Sequence, residues 1–153
     1  MDRRDMVPTQ GEMAAVQAAL RFRPNPDRAR RDEILGFGDL PSRGTIEAFC
    51  ELDARSLRAL IDERFIDPAR RHHDSPTAFD FAAFLERWPH ARAHGFIDQP
   101  ERAEARIVVE GIECDLDRVP SMLRDSVREE FSWFCGDAAE YFDEADYLYA
   151  WWG

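Results

Sequence analysis

The stretch ARAHGFIDQPERAEARIVVEGIE, residues 91–113, is where the chain changes period. Before it, apolar residues recur every three or four positions; within it they alternate or run in β-branched clusters. Residues 91–98 and 105–112 read as two strands, with QPERAE as the connection. In the second strand, strict alternation puts Ile107 and Val109 on one face and Val108 and Ile112 on the other. The pair predicts an antiparallel hairpin. A hairpin alone is marginal in water and needs a third strand or a packed helix. The stretch DYLYAWWG, residues 146–153, meets that need with a strand over 146–152. Alternation places Tyr147, Tyr149 and Trp151 on one face of it, and Leu148, Ala150 and Trp152 on the other. Both faces are apolar, so this strand is expected inside the sheet, with the tyrosine face left over for function.

Around this sheet the sequence predicts about five helices, some short, which makes the fold class α+β. Thr9 and Glu12 have capping-box spacing ahead of Met13, Val16 and Leu20. Pro24 and Pro26 end that helix, and a short one runs on through Leu35. TIEAFCELD, residues 45–53, reads as a short helix with Ile46, Phe49 and Cys50 on one side. Asp53 caps the next, whose buried stripe is Leu57, Leu60, Ile61 and Phe65, with Pro68 as its stop. Asp74 or Ser75 caps a helix carrying Phe81, Phe84, Leu85 and Trp88, closed by Pro89. Leu123, Val127, Phe131 and Phe134 line a last helix, with Gly136 as its left-handed C-terminal residue. No repeat divides the chain, so 1–153 reads as a single domain. Residues 24–44 are the one candidate for a linker or long loop.

All 20 basic residues are arginine, there is no lysine, and the net charge is −11. Genome composition or salt adaptation accounts for such a bias as readily as function does. An acidic chain repels nucleic acid and anionic membranes and favours a basic partner. The sign is uneven. Residues 1–31 hold seven arginines against four acids, a surplus of three positive charges, so the remainder carries −14. The plainer reading of the basic arm is that it lies across the protein's own acidic body. Three cysteines without a close pair indicate reduced thiols, hence a cytoplasmic protein. MDRRDMVPTQ has no apolar core and is not read as a secretory signal. No apolar run approaches the roughly 20 residues of a membrane span.

The sequence offers four candidate chemistries. His72, His73, His90 and His94 lack a spacing that brings ligands to one ion. His90 and His94 on a strand would stand roughly 13 Å apart. Cys50, Cys114 and Cys135 sit beside apolar neighbours, as small buried hydrophobes do, and Ser75 is better placed as a helix cap than as a nucleophile. The acidic stretch DAAEYFDEAD, residues 137–146, lacks the spacing of a calcium loop and reads as a solvated loop. If it acts, it attracts a basic partner. Arg21, Arg23, Arg28, Arg30 and Arg31, with Phe22 for stacking, would be a nucleic-acid site, which the whole-chain charge opposes.

The leading expectation is therefore a non-enzymatic acidic protein–protein interaction module. By analogy of charge and size, it would be an immunity or antitoxin-type inhibitor of a basic protein. The partner-binding residues expected are Asp137, Glu140, Asp143, Glu144, Asp146, Tyr147, Tyr149 and Trp151. No catalytic residue, metal ligand or cofactor is assigned. Two alternatives stand beside it. One is a small enzyme or ligand-binding protein with a pocket between sheet and helices, lined by Trp151, Tyr149, His94 and the acidic loop. The other is nucleic-acid binding through the five arginines.

Overall fold

The computed structural model describes residues 9–13, 22–37 and 44–153. Five strands form one sheet: β1 (Ile46–Leu52), β2 (Ala91–Asp98), β3 (Arg106–Asp115), β4 (Glu140–Asp143) and β5 (Tyr147–Trp151). Their order is β1-β2-β3-β5-β4, and every neighbouring pair is antiparallel. The helices are α1 (Arg28–Leu35), α2 (Ala54–Asp62), α3 (Ala78–Arg87) and α4 (Arg124–Phe134), with 3₁₀ turns at Leu116–Arg118 and Ser121–Leu123. A further helical turn covers residues 10–13. The chain is α+β, and the expected hairpin and terminal strand form its sheet centre.

Two β-bulges explain where strict alternation misreads the strands. Between β2 and β3, His94 pairs with Gly111 and Gly95 with Val109, so Glu110 is an extra residue. That shift returns Ile112 to the same face as Ile107 and Val109, and all three lie in the core. Alternation had placed Ile112 on the opposite face. In β1 the register shifts between Phe49 and Leu52, and Glu51 has φ 59°. The two buried residues of this strand are thus three apart, which imitates a helical period. TIEAFCELD is therefore an edge strand and not a helix. Cys50 is exposed there instead of buried.

One face of the sheet carries the core. Ala91, Ala93, Ile97, Ile107, Val109, Ile112, Cys114, Leu148 and Ala150 form a buried layer under the helices. Trp152 lies against Phe81 at 5.5 Å and Phe134 at 6.4 Å between ring centroids, both edge-to-face. Such aromatic pairs add about 0.5–1.5 kcal/mol beyond their area.

The helices start where short polar side chains satisfy free N–H groups. Asp53 accepts from the Ser56 N–H at 2.8 Å and caps α2. Thr77 and Asp80 form a capping box on α3, so the cap is Thr77 and not Asp74 or Ser75. Phe81, Phe84, Leu85 and Trp88 are all buried, as their spacing predicts. The helix through Leu57 ends at Asp62, well before Pro68. Gly136 lacks the left-handed φ expected of it; the positive-φ glycine among the described residues is Gly36, after α1. Thr9 and Glu12 exchange backbone-to-side-chain hydrogen bonds at 3.0 and 3.1 Å. Met13 is exposed, and Val16 and Leu20 lie outside the described residues. No helix among the described residues is long and apolar enough to cross a membrane.

Candidate functional site

The side chains of the second sheet face are mostly half-buried or exposed, with Val108 buried. The register places its members. Arg92, His94 and Phe96 of β2 stand opposite Glu113, Gly111 and Val108 of β3. Glu113 and Gly111 stand opposite Tyr149 and Trp151 of β5. Tyr149 and Trp151 in turn stand opposite Phe142 and Glu140 of β4. Residues directly opposite across a ladder share a face, so aromatic rings and carboxylates interleave across four strands. β4 and β5 contribute no basic side chain to it.

His94 is the centre of this face. Its ring stacks on Tyr149, with centroids 5.2 Å apart and planes 10° from parallel. Phe142 continues the row at 5.9 Å from Tyr149. Gly111 makes the room: a Cβ there would lie 1.9 Å from His94 Nε2. That nitrogen is buried and has no hydrogen-bond partner among the described residues. Burial pushes the His94 imidazole pKa below its ordinary value, and the pull of Glu113 and Glu110 does not offset it.

The bulged Glu110 brings a second imidazole to the same face. His72 Nε2 is 3.6 Å from Glu110 Oε2, and its ring makes edge contacts with His73 at 4.3 Å and Phe96 at 5.9 Å. Burial lowers the His72 pKa, and the positive neighbours His73, Arg106 and Arg70 lower it further. At the other end of the face, the Tyr147 hydroxyl donates to the Glu113 carboxylate. Burial, and then that hydrogen bond, raise the Tyr147 pKa, so the phenol stays protonated.

The eight residues expected to bind a partner are not brought into one surface. Glu140, Tyr147, Tyr149 and Trp151 belong to the open face. Asp143 pairs with Leu148 on the other side of the ladder and accepts from Arg128 Nε at 3.1 Å. Glu144 and Asp146 lie in the turn between β4 and β5. Asp137 follows α4 on the helical side. The acidic stretch expected as a loop thus contains the edge strand β4, whose four residues are all exposed. His94, Glu110, Gly111, Glu113 and Phe142 were not expected in a partner site. An isolated glycine inside a β-rich run is the one local sign of the close approach at Gly111.

The arginine cluster is spread over different tasks. Arg21 lies outside the described residues, and Arg23 and Arg28 are exposed. Arg30 donates twice to Glu63, at 2.8 and 2.9 Å. Arg31 is 1% exposed; it donates to the carbonyls of Pro100 and Arg102 and pairs with Asp32. Its guanidinium serves the fold and cannot reach a phosphate. The cleft on the helical side is lined by Trp152, while Trp151, Tyr149 and His94 stand on the opposite face of the sheet. Among the described residues, no three His, Cys, Asp or Glu side chains are grouped as a metal site would require. Comparisons with protein-family models, with curated proteins and with solved structures found no match.

Proposed function

We propose that this chain is a protein–protein interaction module that takes a basic, arginine-containing segment of a partner on the open face of its sheet. The observation that carries the reading is the row His94–Tyr149–Phe142 flanked by Glu113 and Glu140. A guanidinium stacks well on such rings and donates its fork of N–H groups to a carboxylate at its edge. Phe142 is 48% exposed and Tyr147 36%, so rings on this face are reachable without unfolding. A net charge of −11 adds long-range attraction for a basic partner and speeds encounter. Within this class, an inhibitor of a basic protein is the subclass that charge and size favour, by analogy alone.

The test is fluorescence polarisation with labelled arginine-rich, lysine-rich and glutamate-rich peptides at low and high salt. The arginine-rich peptide should bind tightest, and salt should weaken it. Tyr149→Ala and Glu113→Gln/Glu140→Gln should each weaken binding about tenfold, the loss of one stacking or charge-assisted contact. An absence of binding at low salt, or binding indifferent to these substitutions, overturns the proposal.

A further inference from the structure

The sheet ends in two edge strands, β1 and β4, and they differ. β1 breaks register between Phe49 and Leu52, and Glu51 there has φ 59°. A bulge of this kind spoils pairing with an incoming strand. β4 instead holds one register with β5 from Glu140 to Asp143. It is fixed at both ends. Glu144 and Tyr147 exchange backbone hydrogen bonds at 2.9 and 3.4 Å, and the Ala139 N–H donates to the Trp151 carbonyl at 2.9 Å.

These bonds also fix which way the β4 backbone faces. In an antiparallel ladder, pairs that exchange both hydrogen bonds alternate with pairs that exchange none. Glu144 and Tyr147 exchange both, so Phe142 and Tyr149 do as well. The intervening pairs, Tyr141–Ala150 and Asp143–Leu148, exchange none. β5 follows the same alternation. The Trp152 N–H donates to the Glu110 carbonyl at 2.8 Å, so Trp152, Ala150 and Leu148 bond to β3 while Tyr149 and Trp151 bond to β4. The N–H and C=O groups of Tyr141 and Asp143 therefore point outward from the edge. They have no backbone partner there among the described residues.

Such a row of unpaired backbone groups is a template for one more strand. The side chains beside it select the occupant. Glu140 and Phe142 stand on the open face, opposite Trp151 and Tyr149. Tyr141 turns to the helical side, 6.0 Å from Phe131, and Asp143 is held there by Arg128. A second copy of the chain would set the acids of one β4 against those of the other, and like charges across a ladder destabilise it. We infer that β4 takes the partner's arginine-containing segment as a sixth, antiparallel strand. Its arginines lie on the open face beside Glu140 and Phe142, and its alternate, apolar residues lie on the helical side beside Tyr141. The inference rests on the basic-partner reading above and adds the conformation in which the segment is held.

The probe is a labelled, end-capped peptide of alternating arginine and valine, read by fluorescence polarisation against the full chain. In the inferred register the valines exchange hydrogen bonds with Tyr141 and Asp143, and the arginine N–H groups face away. N-methylation of the valines should therefore weaken binding about tenfold or more. N-methylation of the arginines should change it by about twofold at most. Asp143→Pro deletes one outward N–H, which an edge strand tolerates. It should weaken binding about tenfold relative to Asp143→Asn. Any other pattern of the two methylated peptides overturns the inference, as does equal binding by the two Asp143 variants. If Asp143→Pro fails to fold, the methylated peptides on wild-type protein decide. A dimer of the chain that Asp143→Pro dissolves, seen by sedimentation, would assign the edge to a second copy and overturn it too. Binding of an arginine-rich peptide without binding of the alternating one would overturn the added strand and leave the open-face reading standing. Binding of neither overturns both.

Discussion

The imidazole of His94 occupies the space that a side chain at Gly111 would fill, with Nε2 1.9 Å from the ideal Cβ position. Gly111→Ala therefore overpacks the open face and separates His94 from Tyr149. The expected cost is about 1–3 kcal/mol in urea denaturation. In a His94→Ala background the same substitution should cost clearly less, because the clashing ring is gone. Equal costs in both backgrounds would show that the glycine serves something else. Gly95→Ala should be worse than Gly111→Ala, since its Cβ would meet the Val108 carbonyl oxygen at 1.8 Å, and backbone cannot rotate away.

Stability should fall on mild acidification. The folded-state pKa of both His94 and His72 is lowered, mainly by burial. A group with a depressed folded pKa contributes stability that is present above its unfolded value, about 6.5, and is lost as pH falls through the folded value. The melting temperature should drop as pH falls below about 6.5. His94→Gln, which cannot take up a proton, should flatten part of that slope, leaving the His72 share. The carboxylates with lowered pKa values, Asp53, Glu63 and Glu130, act in a separate window below about pH 4.5. An unchanged slope in His94→Gln would remove His94 from the account.

Removing residues 149–153 should unfold the protein. The deletion takes Tyr149, Ala150 and Trp151 from their pairing with Glu113, Ile112 and Gly111, and takes β4's partners with them. It also removes Trp152, which is 2% exposed. Trp152→Ala alone should cost about 3–5 kcal/mol. Circular dichroism melts check both; wild-type melting of the truncated chain would contradict the core role.

The thiols should separate cleanly. Cys50 is exposed, while Cys114 and Cys135 are buried. Burial pushes the Cys114 thiol up to about 11, and the Cys135 thiol higher still. Native protein should react with one equivalent of a thiol-specific disulfide reagent, and with three after denaturation. Fast reaction of more than one thiol in the folded state would contradict the burial.

Much of the fold was legible because its signals are local. The capping spacing of Thr9 and Glu12, the cap at Asp53 and the stripe Phe81–Phe84–Leu85–Trp88 depend on neighbours within one or two helical turns. The hairpin and the terminal strand announce themselves by β-branched and aromatic runs. The misread elements fail for the opposite reason. β1 carries a bulge that spaces its buried residues like a helix. β4 is a four-residue exposed edge whose acids look like a loop, because nothing buried marks it.

The sequence by itself determined the α+β class, the hairpin, the third strand, the acidic charge and the division of the terminal strand into Tyr147–Tyr149–Trp151 and Leu148–Ala150–Trp152. Each follows from period, propensity or simple counting. Tertiary structure alone decided that Glu110 is an extra residue in its ladder, that His94 lies over Gly111 and against Tyr149, and that Arg31 is buried under two carbonyls. It also decided that Asp137 and Asp143 leave the face their sequence neighbours Glu140 and Tyr149 occupy. For Arg31 and Asp137 the physical reason is contact with segments distant in sequence, and for Glu110 and His94 it is the bulge. A single inserted residue inverts every side chain beyond it, and where the insertion sits depends on a partner strand distant in sequence.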